Sequence, residues 1–204
     1  MMVGKACKLT LAGLVLMLSV GFPKAQAISV NNTEINQSES KSFALVNNHQ
    51  TTAKQPILIA QNDTYVGADG DFEIRIPGVI QENKNQKLVS YSNNTQTVYV
   101  IHYRDLPSEV SYLPGNAVAQ VLRETLKESF ASEGKIISTT DLTIADKYPG
   151  IEILVLNNDG TKGKYRSYIV QRRMYIIGAV TPKTLTGEVD EFLDSFGIYT
   201  NRLR

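Results

Sequence analysis

The stretch Tyr148–Val180 reads YPGIEILVLNNDGTKGKYRSYIVQRRMYIIGAV. Three runs in it, Ile151–Asn157, Lys164–Val170 and Met174–Val180, are rich in β-branched and aromatic residues. Short runs of this kind bounded by Gly, Pro, Asn and Asp are strands. Their connections are short, one centred on Asp159-Gly160 and the other on Gln171-Arg172-Arg173, so consecutive strands lie antiparallel. The first connection raises a chemical question, because NNDGTKGKYR (Asn157–Arg166) holds an Asp, two Gly and two Lys. A calcium loop of the D-x-[DN]-x-[DN]-G kind places its first ligand five residues before the Gly, and here that residue is Val155. The Glu expected six residues after Gly160 is Arg166. A phosphate loop needs Gly at Asn158, a hydroxyl at Tyr165 and a helix to follow, whereas a strand follows. The segment is a hairpin connection.

The pattern extends outward in both directions. Ile136–Ile144 reads as a further strand, divided from Ile151–Asn157 by a Tyr148-Pro149-Gly150 turn. Before it, Pro114-Gly115-Asn116 opens a helix in which Val118, Leu122, Leu126 and Phe130 recur on one face, with Gly134 as its stop. After Val180 a last helix starts at Thr186, a capping residue, and turns Val189, Phe192, Leu193 and Phe196 inward. On the N-terminal side Phe72, Ile74 and Ile76 alternate with Asp71, Glu73 and Arg75, the period of a half-buried strand. Lys87–Tyr91 and Thr97–Tyr103 form a hairpin whose turn at Asn93-Asn94 takes positive φ angles. In its second strand Val98, Val100 and His102 share one face, and Tyr99, Ile101 and Tyr103 the other; both are apolar, so the strand lies inside a sheet covered on both sides. Strands, helix, four strands and helix make an α+β fold, a mainly antiparallel sheet with helices packed on it.

The first 62 residues are not part of this fold. Lys5 and Lys8 precede an apolar run from Leu9 to Phe22, and Ala25-Gln26-Ala27 supplies the small residues of a cleavage site, so residues 1–27 read as a secretory signal peptide. A run of about 14 residues is too short to cross roughly 30 Å of hydrocarbon. Residues 28–62 are rich in Asn, Gln, Ser and Thr and read as a flexible polar tether, interrupted by Pro56-Ile57-Leu58-Ile59-Ala60, which either docks as an edge strand or stays free. Residues 63–204 form the single domain. Removing the signal peptide takes away Lys5, Lys8, Lys24 and the only Cys, Cys7, leaving 18 basic against 20 acidic side chains. The remaining chain is not basic enough for a nucleic-acid binder, and its stability rests on an apolar core without disulfides.

Few residues offer chemistry. The two histidines are His49 in the tether and His102 inside the sheet, too few for a histidine metal site within one domain. His102 with Asp105 makes half of a dyad, but neither Ser92 nor Ser111 sits at the strained strand-to-helix turn of a nucleophile. Glu188, Asp190, Glu191 and Asp194 read as the solvated face of the last helix. No catalytic residue, metal site or cofactor is expected. Lys164 and Arg166, near Lys162, and Arg172 with Arg173 are the candidate binding residues, at opposite ends of one hairpin. Eight residues of strand separate Lys164 from Arg172, roughly 26 Å, so they form two patches rather than one stripe at a screening length of about 8 Å.

YPGIEIL (Tyr148–Leu154), the hairpin around Asp159-Gly160 and Gly163, the second hairpin ending Met174-Tyr175-Ile176, the closing helix EFLDSFGI and the opening strand DFEIRIP resemble the PsbP family over Asp69–Ile198. The resemblance implies an α/β/α sandwich around an antiparallel sheet, with helices on both faces. It also implies a non-enzymatic role: PsbP proteins are extrinsic subunits on the lumenal side of photosystem II, and PsbP-like relatives act as assembly factors. The expectation is therefore an exported, soluble, non-catalytic binding or assembly module. It is extracytoplasmic after cleavage and is held to a protein partner by a sheet edge or hairpin end. The alternative is a cell-envelope small-ligand binder or hydrolase with a pocket near His102, Tyr99 and Tyr103.

Overall fold

A computed structural model describes residues 64–84 and 86–203. The expected signal peptide, the expected tether with its Pro56–Ala60 run, and His49 lie outside the described residues. Ten strands and two helices follow in order: β1 (Thr64–Val66), β2 (Phe72–Arg75), β3 (Val79–Lys84), β4 (Lys87–Ser92), β5 (Thr97–Asp105), α1 (Gly115–Phe130), β6 (Gly134–Ile144), β7 (Tyr148–Asn157), β8 (Lys162–Val170), β9 (Arg173–Thr181), α2 (Gly187–Asp194) and β10 (Gly197–Ile198). Short 3-10 turns at Ser108–Tyr112 and Thr200–Arg202 complete the order. Seven strands form one sheet in the order β3-β4-β5-β9-β8-β7-β6, every neighbouring pair antiparallel. A smaller antiparallel sheet has the order β1-β2-β10.

The main sheet separates two apolar clusters, because side chains alternate along each strand. Against one face α1 packs Val118, Leu122, Leu126 and Phe130, the four positions of the helical period, onto Ile151, Ile153, Val155, Tyr165 and Ile169. Against the other face α2 packs Val189, Phe192 and Leu193, joined by Phe72 and Ile74 of the small sheet and by Phe196. The molecule is thus mostly antiparallel sheet with two helices. The second face is shared between an eight-residue helix and three short strands rather than covered by a full helical layer.

Tyr165 sets how α1 meets the sheet. Its side chain is 1% exposed and its ring lies 4.7 Å, centroid to centroid, from that of Phe130. Room for it comes from two glycines. A Cβ on Gly178, directly opposite in β9, would lie 2.2 Å from the ring, and one on Gly163, two residues earlier in β8, would lie 2.4 Å from it. A glycine inside a strand gives up packing and backbone entropy, and here the gain is a slot for a large aromatic.

Several expected boundaries move. Tyr148-Pro149-Gly150 is not a turn but the start of β7, with Pro149 opposite Thr143. The reversal falls at Ala145 and Asp146, whose φ angles are 50° and 52°. Pro149 is tolerated in the strand because β8 pairs with β7 only from Gly150 onward, so the missing N–H is not needed on that side. Gly134 is not the stop of α1; the helix ends at Phe130, Ala131 remains helical in φ and ψ, and Gly134 begins β6. In the β4–β5 hairpin the positive φ falls on Gln96, at 55°, not on Asn93 or Asn94. Thr186 occupies the cap position of α2, but its side chain makes no capping hydrogen bond. Arg173 belongs to β9, paired with Val170, so the β8–β9 turn is only Gln171-Arg172. Strands β1, β3 and β10 were not expected; each is short or lacks apolar alternation, as in VIQENK of β3, whose last four residues are all polar.

Overpacking of the Tyr165 slot gives the first test. Gly178→Ala should lower unfolding stability by about 2 kcal/mol. In a double mutant with Tyr165→Leu the combined loss should fall clearly short of the sum of the single losses, as measured by urea denaturation.

Candidate functional site

The cations singled out from the sequence are distributed over the sheet in three different states. Lys164 and Arg166 sit on the α2 face of β8 and are neutralised within the fold. Lys164 Nζ reaches Asp190 at 2.7 Å and Glu152 at 3.4 Å; Arg166 donates to Glu152 at 2.8 Å and to Asp194 at 2.7 Å. Asp190 and Asp194 are exposed on the helix face, as expected, and through these pairs they also pin α2 to the sheet.

Arg173 is held more firmly still. It makes a two-pronged contact with Asp105, at 2.7 and 3.1 Å, and donates to Asp69 at 2.7 Å and to Asp71 at 3.0 Å. Asp71 is fully buried and also accepts a 2.5 Å hydrogen bond from the Tyr175 hydroxyl. The Asp105 hydrogen bonds hold the Arg173 guanidinium well above its ordinary pKa, against the cost of burial. Burial, reinforced by Asp71, pushes the Tyr175 hydroxyl up. The half-dyad of His102 and Asp105, set aside from the sequence, does not form. Residues three apart in a strand point to opposite faces, and both Asp105 oxygens belong to Arg173.

His102, Arg104 and Arg172 are in the opposite state. His102 and Arg104 lie two residues apart on the α1 face of β5, and Arg172 sits in the turn before β9, where its carbonyl accepts from Leu106 N at 2.7 Å. All three side chains are half-buried. Burial, then the Arg104 and Lys87 charges, push His102 below its ordinary pKa, opposed by the Gln86 carbonyl.

The pocket expected around His102, Tyr99 and Tyr103 does not exist as one site. Tyr99 and Tyr103 lie in the cluster beneath α2, while His102 is on the other face of the sheet. A cleft of about 460 Å³ opens elsewhere, between the β2–β3 corner, the β4–β5 hairpin and α2. Arg75, Asn93, Asn94, Glu188 and Glu191 are its polar lining, with Tyr91 and Phe192 among the apolar groups. Tyr99 reaches one of its lining residues, donating to Glu188 Oε1 at 2.5 Å, with Thr95 donating to the same oxygen at 3.1 Å. Burial and the Glu188 carboxylate raise the Tyr99 pKa. Ser92 lines the cleft, and the side chain of Ser111 lies outside the description.

The Asp159-Gly160 loop is the hairpin connection expected of it. Asp159 Oδ1 accepts from the Thr161 N–H at 2.9 Å and the Thr161 hydroxyl at 2.7 Å, Gly160 takes a φ of 84°, and Asn158 docks on the α1–β6 turn through Ser132 and Glu133. Among the described residues no three His, Cys, Asp or Glu side chains gather as a metal site, and no helix is long and apolar enough to cross a membrane.

Among the described residues the sheet also has a long free edge: β6 runs for eleven residues, pairs there only with β7, and has no residue in the buried class. A bulge at Ile137 leaves that side chain 52% exposed, and Leu156, two rungs away on β7, is 40% exposed. The strand's sequence shows the alternation of a strand but not that it lies at an edge, since sheet order is a property of pairing.

No family model matches the chain, and no curated protein matches it. Among solved structures, the chain is similar to the solution structure of cyanobacterial PsbP from Synechocystis sp. PCC 6803, with a TM-score of 0.48 and 14% identity, covering 70% of this chain and 95% of that one. It is also similar to a crystal structure from Bacteroides thetaiotaomicron, with a TM-score of 0.45 and 14% identity over 69% of this chain; the match spans 49% of that protein's length.

Two outcomes follow from the Arg173 network. Arg173→Met leaves Asp71 buried without its cation and should cost about 3 kcal/mol in urea unfolding. The Arg173 hydrogen bonds pull the Asp105 pKa below the ordinary carboxylate value, so Asp105 favours the folded state above about pH 4 and loses that contribution as pH falls through the depressed value. Asp105→Asn should therefore flatten the acid side of the stability profile while leaving its neutral-to-alkaline side parallel to the parent.

Proposed function

We propose that the chain is an exported, non-catalytic binding or assembly module built as a PsbP-like α/β/α sandwich and held at the surface of a membrane complex by a protein partner. The observation that carries this reading is the free edge of β6. Eleven residues of ladder with an exposed apolar pair, Ile137 and Leu156, offer hydrogen bonds and a hydrophobic contact to an extended segment of another protein. Charges at Lys135 and Asp141, the latter paired with Arg123 at 2.5 Å, and the bulge at Ile137 limit indiscriminate edge pairing. The partner segment is an extended strand with an apolar side chain for Ile137 and Leu156. The order of strands and hairpins that resembles PsbP supports a lumenal complex, photosystem II, as the setting. The reading of residues 1–27 as a secretory signal peptide supports an extracytoplasmic location.

The test is crosslinking and co-purification from membranes of the source organism. Wild type should be recovered with an integral membrane complex and crosslink to it through Lys135. Ile137→Lys should reduce recovery by about tenfold, the loss of one well-buried anchor, without lowering the Tm. Equal recovery of both proteins, or crosslinks that avoid β6, would sink this reading.

The cleft beside α2 favours a second reading, a small-ligand binder of the cell envelope. Both charge signs line it, Arg75 against Glu188 and Glu191, which suits a small polar or zwitterionic molecule. A compound from a metabolite panel that raises the Tm of wild type but not of Glu191→Lys would favour it over the partner-binding module.

A further inference from the structure

The protein spends most of its inward-facing cations on its own carboxylates. Lys164, Arg166 and Arg173 are all ion-paired, and Lys87 meets Glu82 at 3.3 Å. Arg104 and Arg172 take part in none of the ion pairs of the described residues. Yet Arg104 Nε and Nη2, Arg172 Nε and His102 Nδ1 are all buried from solvent and without a hydrogen-bond partner. Three of these are N–H groups of guanidinium ions that stay charged at any working pH. A buried donor left unmade costs about 1–3 kcal/mol, more when charged, and native proteins leave few of them.

The backbone brings these groups to one place. Arg104 stands opposite Met174 on β9, and Leu106 stands opposite Arg172, so Arg104 and Arg172 are diagonal neighbours across the β5–β9 ladder. Diagonal positions lie about 7–8 Å apart, within the span of two arginine side chains. His102 is two residues from Arg104 on the same face and opposite Lys87 on β4. Asp105 feels Arg172 but has both oxygens committed to Arg173, and Glu82 is paired with Lys87. Each of the three side chains keeps part of its surface in solvent, so the cluster opens outward.

We propose that His102, Arg104 and Arg172 form a binding site for a phosphate group, free in solution or carried on a lipid headgroup. Two guanidinium charges match a phosphate dianion, whereas one carboxylate would leave a net positive charge buried. A phosphate also offers three or four oxygens to donors approaching from several directions, and guanidinium forks suit them. This site stands independently of the β6 partner surface, on the central strands β5 and β9, with β8 and β7 between it and that edge.

The experiment titrates wild type, Arg104→Gln and Arg172→Gln with inorganic phosphate at constant ionic strength set by chloride, reading Tm and calorimetric affinity. Wild type should show saturable binding and a Tm rise of about 5 °C at high occupancy. Both variants should bind at least about tenfold more weakly. In phosphate-free buffer the Tm of Arg104→Gln should equal or exceed that of wild type, because an unpaired buried charge has been removed. A structural role for Arg104 predicts a fall instead and would overturn the proposal, as would equal binding by all three proteins, which means an adventitious ion only. Vesicles of phosphatidylcholine with and without phosphatidic acid form the second arm. Arginine-dependent binding to the phosphatidic-acid vesicles alone assigns the phosphate to a headgroup, and response to inorganic phosphate assigns it to a free anion. No saturable response in either arm overturns the site.

Discussion

Asp71 is a carboxylate with no exposure to solvent, and its burial is tolerable only because Arg173 and the Tyr175 hydroxyl meet the same oxygen. The arrangement ties together parts of the chain that are far apart in sequence. Asp71 sits just before β2, Tyr175 and Arg173 open β9, and Asp105 closes β5; the Asp71 carbonyl also accepts from Tyr199 N near the C-terminal end. The small sheet is thereby clamped to the large one at a point where Phe72 packs edge-on against Tyr103 and Tyr175. A buried ion network of this kind is weak evidence for added stability, since desolvation offsets most of its attraction. Its role is to exclude other arrangements, because any register that separated Asp71 from Arg173 would bury a bare charge.

The two faces of the large sheet are built differently. On the α1 face one amphipathic helix meets a continuous apolar surface, and the Tyr165 ring seated on Gly163 and Gly178 fixes its position. On the α2 face a short helix contributes three buried side chains, and ion pairs from Lys164 and Arg166 to Asp190 and Asp194 set its orientation. The cleft beside α2 is lined from that helix by Glu188, Glu191 and Phe192. The more weakly covered face therefore carries a cleft.

Much of the fold was legible from alternation. The burial of Val118, Leu122, Leu126 and Phe130, the two-faced character of β5 and the hairpins of Tyr148–Val180 follow from local periodicity, which needs no knowledge of distant partners. The same alternation contained the objection to a pocket shared by His102 and Tyr99, since residues of opposite parity cannot line one cavity on one face. Pro149 misled because proline signals a turn in most contexts, and only the absence of β8 pairing at that position makes it acceptable in a strand. The candidate cations could be found by residue type, but whether each was neutralised depended on carboxylates 12 to 104 residues away in sequence. Arg104, beside the recognised His102, gave no signal of its own: an arginine in a strand is ordinary until its neighbours are known.

The sequence by itself determined the α+β class, the antiparallel hairpins, the inward face of each helix and the failure of the Asp159-Gly160 loop as a calcium or phosphate motif. Each is a matter of spacing within a few residues, where backbone geometry leaves little choice. The tertiary structure decided that β6 is an edge, that Lys164, Arg166 and Arg173 are consumed by the fold, and that Arg104 and Arg172 are not. Those outcomes depend on strand order and on the pairing of charges across it. Coulombic and hydrogen-bond energies act between side chains that only the folded chain brings within a few ångströms.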